Sequence, residues 1–132
     1  MRTLIAEDDS TCSMILETLL KSYGSSVVVS DGEAAVKAFT SALVGQQPFD
    51  LVCLDIVMPG LDGQACLRCL RAIEESFGRL GSTAAKILMT TSVNSPASIL
   101  AAFRGQSEGY LVKPIERNRL IAQLSSLGFK PL

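Results

Sequence analysis

The sequence predicts an α/β fold: a doubly wound sheet of five parallel strands, covered by helices on both faces. Short apolar runs alternate with amphipathic helical periods five times along the chain. Because the runs are largely apolar throughout, the strands are expected to be buried on both faces, as in parallel sheets. The chain has 132 residues and no repeat or linker, which predicts a single domain over residues 1–132.

The first two strand–helix units follow from apolar runs and helix-capping residues. Residues 3–6 form a short apolar strand, and a helix is predicted from about Thr11, with Gly24 placed to end it. The β-branched run 26–30 predicts the second strand. Asp31 can cap a second helix, because its carboxylate can accept hydrogen bonds from first-turn amides. The inward residues of that helix are predicted to be Ala35, Val36, Phe39 and Leu43.

The third unit and the fourth strand are placed in the same way. Residues 49–55 form the third strand, and Asp62 can cap a helix that runs to about Phe77. Segment 76–84 contains two glycines and is predicted to be a loop. The fourth strand follows at 86–90.

The remaining elements complete the alternation. Ser95 followed by Pro96 predicts the start of a fourth helix through Phe103, because proline suits the first helical position. Residues 110–113 form the fifth strand, and the last helix ends near Gly128. The apolar face of this last helix carries Leu120, Ile121, Leu124 and Leu127.

Composition excludes several classes of function. Hydrophobic residues make up 48% of the chain and charged residues 19%, which argues against disorder. The formal net charge is −1, and no basic stripe typical of nucleic-acid-binding proteins is visible. No apolar run approaches the roughly 20 residues that span a bilayer, and the N-terminus lacks a signal-peptide pattern. We therefore expect a cytoplasmic protein without direct nucleic-acid or membrane contacts.

The four cysteines give one suggestive spacing, Cys66-x-x-Cys69. A zinc site needs two more ligands, whereas the chain has no His and no second pair of this kind. The favoured interpretation places both thiols on the core face of the third helix, with Leu70, Ile73 and Phe77. A redox pair is the alternative.

Polar side chains follow four of the five predicted strands. In open α/β sheets, ligands bind at the carboxyl ends of the strands, so these side chains are expected to converge at one edge. A carboxylate that interrupts an apolar run is costly unless something pairs with it, so Asp55 is expected at this edge, facing solvent and a cation. The converging residues are the acids Glu7, Asp8, Asp9 and Asp55, the hydroxyl residue Thr90 and the amine Lys113.

This set of residue types suits phosphoryl transfer. Two carboxylates about 4 Å apart repel by roughly 4 kcal/mol at an effective dielectric of 20. A Mg²⁺ ion with oxygen ligands would relieve that repulsion. Lys113 can meet a phosphate oxygen, and Thr90 can donate a hydrogen bond. Asp55 would then be the nucleophile and form an aspartyl phosphate.

The motifs resemble those of the receiver domain of two-component response regulators, the CheY-like superfamily. The resemblance covers essentially the whole chain and implies the (βα)5 flavodoxin-like receiver fold, with strand order 2-1-3-4-5. The matching segments are EDD at 7–9, DIVMPGLDG at 55–63 (the family pattern DxxMPxxDG), MTTS at 89–92 and YLVKP at 110–114.

The resemblance also implies roles at the site. Asp55 would accept a phosphoryl group from a kinase histidine, and Thr90 and Lys113 would bind the phosphoryl oxygens. The Mg²⁺ ligands would be Glu7, Asp8, Asp55 and the backbone carbonyl of Val57.

The resemblance further implies a conformational switch and an output surface. Tyr110 would turn inward as Thr90 moves toward the phosphate, and the Lys113–Pro114 bond would be cis. Asp9 matches no metal ligand, which leaves it as a helix cap or a solvated charge. The switch would act on the surface made by the fourth helix, fifth strand and fifth helix (α4-β5-α5).

Partners and output are implied only as classes. A sensor histidine kinase or a phosphotransfer protein would supply the phosphoryl group, and an unknown downstream protein would receive the signal. The domain would catalyse only its own phosphorylation and dephosphorylation, as a monomer or a phosphorylation-dependent homodimer. Only 19 residues follow Lys113, so we expect a stand-alone receiver.

Two positions differ from what is commonest in the family. Val57 is apolar where many members carry a polar side chain, and Thr91 stands where a smaller residue is frequent. Both would flank the path of water to the phosphoryl group. The hypothesis is therefore a long-lived phosphorylated form.

Three alternative functions are weighed against this interpretation. A flavodoxin-like cofactor binder would need a Ser/Thr/Gly-rich phosphate loop after the first strand, where this chain has acids. A phosphatase-type hydrolase would carry its nucleophile after the first strand rather than the third. A pseudo-receiver would bind partners without phosphorylation, although all five key side chains are present here.

Overall fold

The computed structural model describes residues 1–92 and 107–132. Within them, five parallel strands form one sheet in the order β2-β1-β3-β4-β5, which confirms the predicted fold class and strand order. The strands are β1 (Arg2–Ala6), β2 (Ser25–Val29), β3 (Leu51–Asp55), β4 (Lys86–Thr91) and β5 (Gly109–Val112). The helices are α1 (Ser10–Leu20), α2 (Gly32–Val44), α3 (Gly63–Ser76) and a C-terminal helix (Arg117–Ser126), with a 3-10 turn at Gly81–Thr83. The predicted fourth helix, 96–103, lies outside the described residues.

The sheet separates two apolar layers. Side chains along a strand point alternately to opposite faces, so each strand contributes to both layers. α2 and α3 cover one face, where the buried residues include Phe39, Leu54 and Leu67. α1 and the C-terminal helix cover the other, with Leu16 and Leu124 among the buried residues. The central strand β3 is buried along its whole length, as its apolar sequence predicts.

Three aspartates begin three helices. Asp9 accepts hydrogen bonds from the amides of Thr11 and Cys12 at the start of α1. Asp31 accepts one from Ala34 in α2, as predicted. Asp62 accepts one from the amide of Ala65 at 2.8 Å, which confirms the predicted cap of α3.

The predicted role of Gly24 as the end of the first helix is wrong. α1 already ends at Leu20, and a turn closed by a hydrogen bond from Tyr23 N to Leu20 O follows it. Gly24 lies beside the first residue of the chain: a Cβ here would stand 2.0 Å from the carbonyl oxygen of Met1, and its φ is +145°. The glycine therefore allows a close backbone approach beside β1.

The predicted inner face of α3 is only partly right. Cys66 and Leu70 are buried, whereas Cys69 is exposed and Phe77 is 45% exposed. Leu67 is buried in their place, because the covered face is centred between Cys66 and Leu70 and turns Cys69 toward solvent. Burial raises the pKa of the Cys66 thiol to about 12, so this thiol resists ionisation.

An ion-pair network holds the last turns of α3 to the sheet. The Arg71 guanidinium binds Glu74 at 2.7 Å and both carboxylate oxygens of Glu108 at 2.7 and 2.8 Å. The two acids in turn accept hydrogen bonds from backbone amides, Glu74 from Ala85 and Glu108 from Ile87. The network thus fixes α3 against the start of β4 and β5, at the sheet edge opposite the predicted site.

Candidate functional site

Strand alternation brings the predicted residues to one side of the sheet. Asp55 shares its parity with Leu51 and Cys53, which face the α1 layer. Glu7, Thr90 and Lys113 each come two positions after a core residue of that layer, so they are expected on the same face of the sheet. In the register of β3 and β4, Asp55 is the partner of Thr90. The core-facing residues of those strands are Ile5, Leu88 and Leu111.

Three carboxylates lie together at this edge. Glu7, Asp8 and Asp55 each offer an oxygen within 4.8 Å of the others, and they form the one such group of three ligating side chains found among the described residues. Glu7 and Asp55 are buried, and Asp8 is exposed. This donor set, all hard oxygen ligands, fits Mg²⁺.

Asp9 lies apart from this group despite its place in the acidic run. Its carboxylate is engaged by amides of the first turn of α1, so it points along the helix and caps it. The backbone of the preceding residues is held to the sheet, since the Glu7 amide donates to the carbonyl of Val29 at 3.0 Å. The geometry therefore separates the capping acid from the acids at the site.

Lys113 bridges two of the acids. Its ammonium nitrogen lies 2.5 Å from Oε1 of Glu7 and 3.0 Å from Oδ2 of Asp55. The Lys113 amide donates to the carbonyl of Thr91 at 2.7 Å, and the Lys113–Pro114 bond is cis, as the resemblance implied. The ammonium group thus supplies a counter-charge to acids that come from two different strands.

The expectation that Asp55 faces solvent is wrong, because the residue is only 3% exposed. The pKa of Asp55 is raised from 3.8 to about 6. Burial is the largest cause and the hydrogen bond with Glu7 the second, whereas the hydrogen bonds from Lys113 and the Val57 amide lower this pKa. Desolvation lowers the pKa of Lys113, but its hydrogen bonds to the two acids outweigh that effect and raise it. The cluster therefore carries more negative charge than one ammonium group balances.

Thr90 presents a buried hydroxyl to the site. Its residue is 1% exposed, and its Oγ1 has no hydrogen-bond partner among the described residues. A buried hydroxyl without a partner costs free energy, so such a group at a cluster of charges is a candidate ligand contact. Because Thr90 is the register partner of Asp55, its hydroxyl is a candidate donor to a ligand bound at this acid.

The loop after β3 carries Val57 beside the acids. The Val57 amide donates to Oδ1 of Asp55 at 3.1 Å, and the Val57 side chain is 60% exposed. Thr91, the other unusual position, is buried and has the strand parity opposite to that of Thr90. Val57 therefore lies at the surface beside the acid, whereas Thr91 has the parity of Met89, a residue of the α2–α3 layer.

Tyr110 is half-buried on β5 and packs against the layer covered by α2 and α3. Its carbonyl accepts a hydrogen bond from the Gln123 side chain at 3.3 Å, which ties β5 to the C-terminal helix. The predicted fourth helix, one part of the proposed output surface, lies outside the described residues.

Two residues at the site were missed by the sequence reasoning. Cys12 faces inward from the first turn of α1; burial and the neighbouring Glu7 raise the pKa of its thiol to about 12. Gly63 lies so close to β3 that a Cβ would stand 2.0 Å from the carbonyl oxygen of Asp55. The signal for Gly63 was the glycine that follows the capping aspartate in the phospho-acceptor motif.

Within residues 1–92 and 107–132, no helix combines the length and apolar character needed to cross a bilayer.

Sequence comparisons place residues 3–125 in the family described as the response regulator receiver domain. The chain is 32% identical over 120 residues to the sensor protein GacS of Pseudomonas syringae pv. syringae, covering 90% of this chain and 12% of that protein. It is 28% identical over 128 residues to the cell cycle transcriptional regulator CtrA of Caulobacter vibrioides, covering 96% of this chain and 50% of that protein. The chain thus spans half or less of the length of these curated relatives.

Solved structures share the fold. The chemotaxis protein CheY4 of Vibrio cholerae matches with a TM-score of 0.78 at 22% identity, over 95% of this chain and 96% of that one. The CheX–CheY complex with BeF3 and Mg²⁺ from Borrelia burgdorferi matches with a TM-score of 0.82 at 23% identity, over 98% of this chain and 90% of that one. At these identities the similarity establishes the architecture.

Proposed function

The chain belongs to the family of response regulator receiver domains, and from this premise we propose that Asp55 accepts a phosphoryl group in a Mg²⁺-dependent reaction. The donor is a phosphohistidine of a sensor histidine kinase or of a phosphotransfer protein. The observation that carries the proposal is the cluster of Glu7, Asp8 and Asp55, with Lys113 in contact with two of the three acids.

The chemical step follows from the placement of Asp55. A carboxylate oxygen of Asp55 forms a bond to phosphorus, the nitrogen–phosphorus bond of the donor breaks, and the histidine nitrogen keeps the electron pair and takes up a proton. Lys113 and Thr90 support this step, because an ammonium group and a hydroxyl can bind the oxygens over which charge is spread. The transfer replaces one carboxylate charge by roughly two negative charges on the phosphoryl group.

Mg²⁺ would be held by Glu7, Asp8 and Asp55, with the backbone carbonyl of Val57 as a further ligand. The ion neutralises charge on the phosphoryl oxygens and on the acids. Asp8 is the exposed member of the group and is therefore the acid nearest to solvent from which the ion arrives.

The output proposed for the domain is a change of surface. Phosphorylation draws Thr90 toward the new oxygens, Tyr110 turns inward, and the surface formed by the fourth helix, β5 and the C-terminal helix changes its affinity for a downstream protein. The single receiver domain, residues 1–132, catalyses only its own phosphorylation and dephosphorylation in the cytoplasm. It acts as a monomer or as a phosphorylation-dependent homodimer, with no direct contact to nucleic acid or membrane.

Intact mass spectrometry after incubation with a small acyl phosphate and Mg²⁺ tests the proposal. Wild type should gain one phosphoryl group, and the gain should disappear in Asp55→Ala and in the presence of a chelator. Glu116→Ala is the matched control, since that exposed acid pairs with Arg119 and lies outside the acidic group. A folded wild type that binds Mg²⁺ but gains no mass from either the acyl phosphate or a phosphorylated kinase would contradict the proposal and support a pseudo-receiver.

A further inference from the structure

Gly32, the first residue of α2, lies directly against the loop that follows Asp55. A Cβ at this position would stand 2.4 Å from the carbonyl oxygen of Leu61 and 3.0 Å from its Cβ. The other face of the same glycine is also covered, because the Cys66 thiol of α3 lies 3.7 Å from its carbonyl oxygen. Gly32 is thus enclosed between the loop and α3.

The reason for glycine here is space rather than backbone conformation. Gly32 does not have a positive φ, so its backbone conformation does not require glycine. The helix is already capped by Asp31, which accepts a hydrogen bond from the amide of Ala34. Alanine would therefore suit the helix itself and would even favour it. The cost of a side chain at position 32 would fall on Leu61, whose carbonyl would have to move away.

The loop has little freedom to absorb such a movement. At its far end, Asp62 caps α3, and the Gly63 amide donates to the carbonyl of Ile56 at 2.9 Å. Gly63 itself is pressed against the backbone of Asp55, where a Cβ would stand 2.0 Å from the carbonyl oxygen. A displacement of Leu61 must therefore be taken up in the segment 57–60.

That segment leads directly to the acid. Met58 is buried in the α2–α3 layer, and Gly60 has a φ of +73°. The Val57 amide holds Oδ1 of Asp55 at 3.1 Å, so a shift of the loop changes the orientation of this carboxylate. The path from Gly32 through Leu61 to Val57 thus links the start of α2 to the acidic cluster.

We propose that Gly32 is a positioning residue of the Mg²⁺ site: its missing side chain lets the loop 56–62 pack close enough to α2 to hold Val57 and Asp55 in the geometry that binds the ion. The inference rests on the proposed function of the acidic cluster. It assigns to α2, which supplies none of the proposed ligands, a part in setting the affinity for Mg²⁺.

The test compares Gly32→Ala with wild type by calorimetric titration with Mg²⁺, at a temperature where both are folded. We expect the Kd for Mg²⁺ to rise about tenfold, since a displacement of about 1 Å at a site can cost up to about a hundredfold. In phosphorylation by an acyl phosphate, the Mg²⁺ concentration for half-maximal rate should rise more than the maximal rate falls. A purely structural role would lower the Tm and leave the Kd unchanged, and that result would overturn the inference.

Two further variants complete the experiment. Gly45→Ala, at the other end of α2, is the matched control. The atom nearest to a Cβ at this position would be the carbonyl oxygen of Ser41 in the same helix, at 3.3 Å. Leu61→Ala shortens a side chain of the loop without changing α2, and it should also weaken Mg²⁺ binding. If Gly32→Ala does not fold, a Kd equal to that of wild type in Leu61→Ala overturns the inference. A wild type without Mg²⁺ affinity would instead reject the proposed function, so the two failures are distinct.

Discussion

The ammonium nitrogen of Lys113 lies 3.0 Å from Oδ2 of Asp55, the acid at the end of the central strand. The same nitrogen contacts Glu7, so a single cation faces two buried carboxylates. One positive charge does not offset the cost of burying two negative ones, which is why the pKa of Asp55 remains raised. The metal-free site is therefore an electrostatically unfavourable state that a divalent cation would relieve.

The first prediction concerns stability without metal. The pKa of Asp55 is raised from 3.8 to about 6 in the folded protein, so its ionised form is disfavoured by folding. Its contribution to stability is fully present below pH 3.8 and is lost as the pH rises through about 6. Asp55→Asn stays neutral at every pH. At pH 8 in a chelator, its free energy of unfolding should therefore exceed that of wild type by up to about 3 kcal/mol, and its Tm should be higher.

Two conditions should remove that advantage. It should shrink as the pH falls toward 4, where the wild-type carboxyl is itself protonated. Saturating Mg²⁺ at pH 8 should reverse the order, because only wild type gains the binding free energy of the ion. Thermal unfolding followed by circular dichroism measures both, and an Asp55→Asn protein less stable than wild type in chelator at pH 8 would contradict the prediction.

The second prediction separates two adjacent acids. Asp8→Asn should weaken Mg²⁺ binding by at least about tenfold, as expected for loss of a coordinating group, with little change in stability because the residue is exposed. Asp9→Ala should lower the free energy of unfolding by about 1 kcal/mol, since it removes a helix cap. It should leave the affinity for Mg²⁺ unchanged. Calorimetric titration and thermal unfolding on both variants test this; similar effects on Mg²⁺ binding would contradict it.

The sequence predicts most of the strands and caps because both depend on local features. β3 is apolar from Leu51 to Leu54, and each of the capping aspartates precedes a helical period. The order of the strands came from the family resemblance. The convergence of acids followed from a general rule, since strand ends in parallel sheets share one edge.

Other features could not be predicted because they depend on distant backbone. The role of Gly24 comes from the approach of Met1, and that of Gly32 from the approach of Leu61. The exposure of Cys69 depends on a small rotation of α3 against the sheet, which periodicity does not determine. The sequence predicts that Asp55 and Lys113 converge, but not that the packing around them leaves Asp55 only 3% exposed.

The third prediction concerns the ion pairs at the opposite sheet edge. Arg71→Ala should destabilise the protein by about 3–5 kcal/mol, because Glu74 is 2% exposed and would lose its cation. Glu116→Ala is the control: it removes the exposed pair with Arg119 and should cost less than about 1 kcal/mol. Urea unfolding measures both free energies. Equal effects of the two substitutions would show that the buried network contributes no more than a surface pair.

The last prediction concerns the lifetime of the phosphorylated form. The amide of Val57 donates to the acceptor Asp55 and its apolar side chain is exposed, so we expect this side chain to hinder the approach of water. Val57→Asn replaces this surface with an amide that can hold a water molecule, and dephosphorylation should become several-fold faster. Thr91→Ala should act in the same direction by reducing bulk at the end of β4, where the Thr91 carbonyl accepts a hydrogen bond from the Lys113 amide. Decay of the phosphorylated mass after removal of the donor gives the rate. Unchanged rates in both variants would mean that these residues do not control access of water, and Val44→Asn, an exposed valine on α2 away from the acids, controls for a general surface effect.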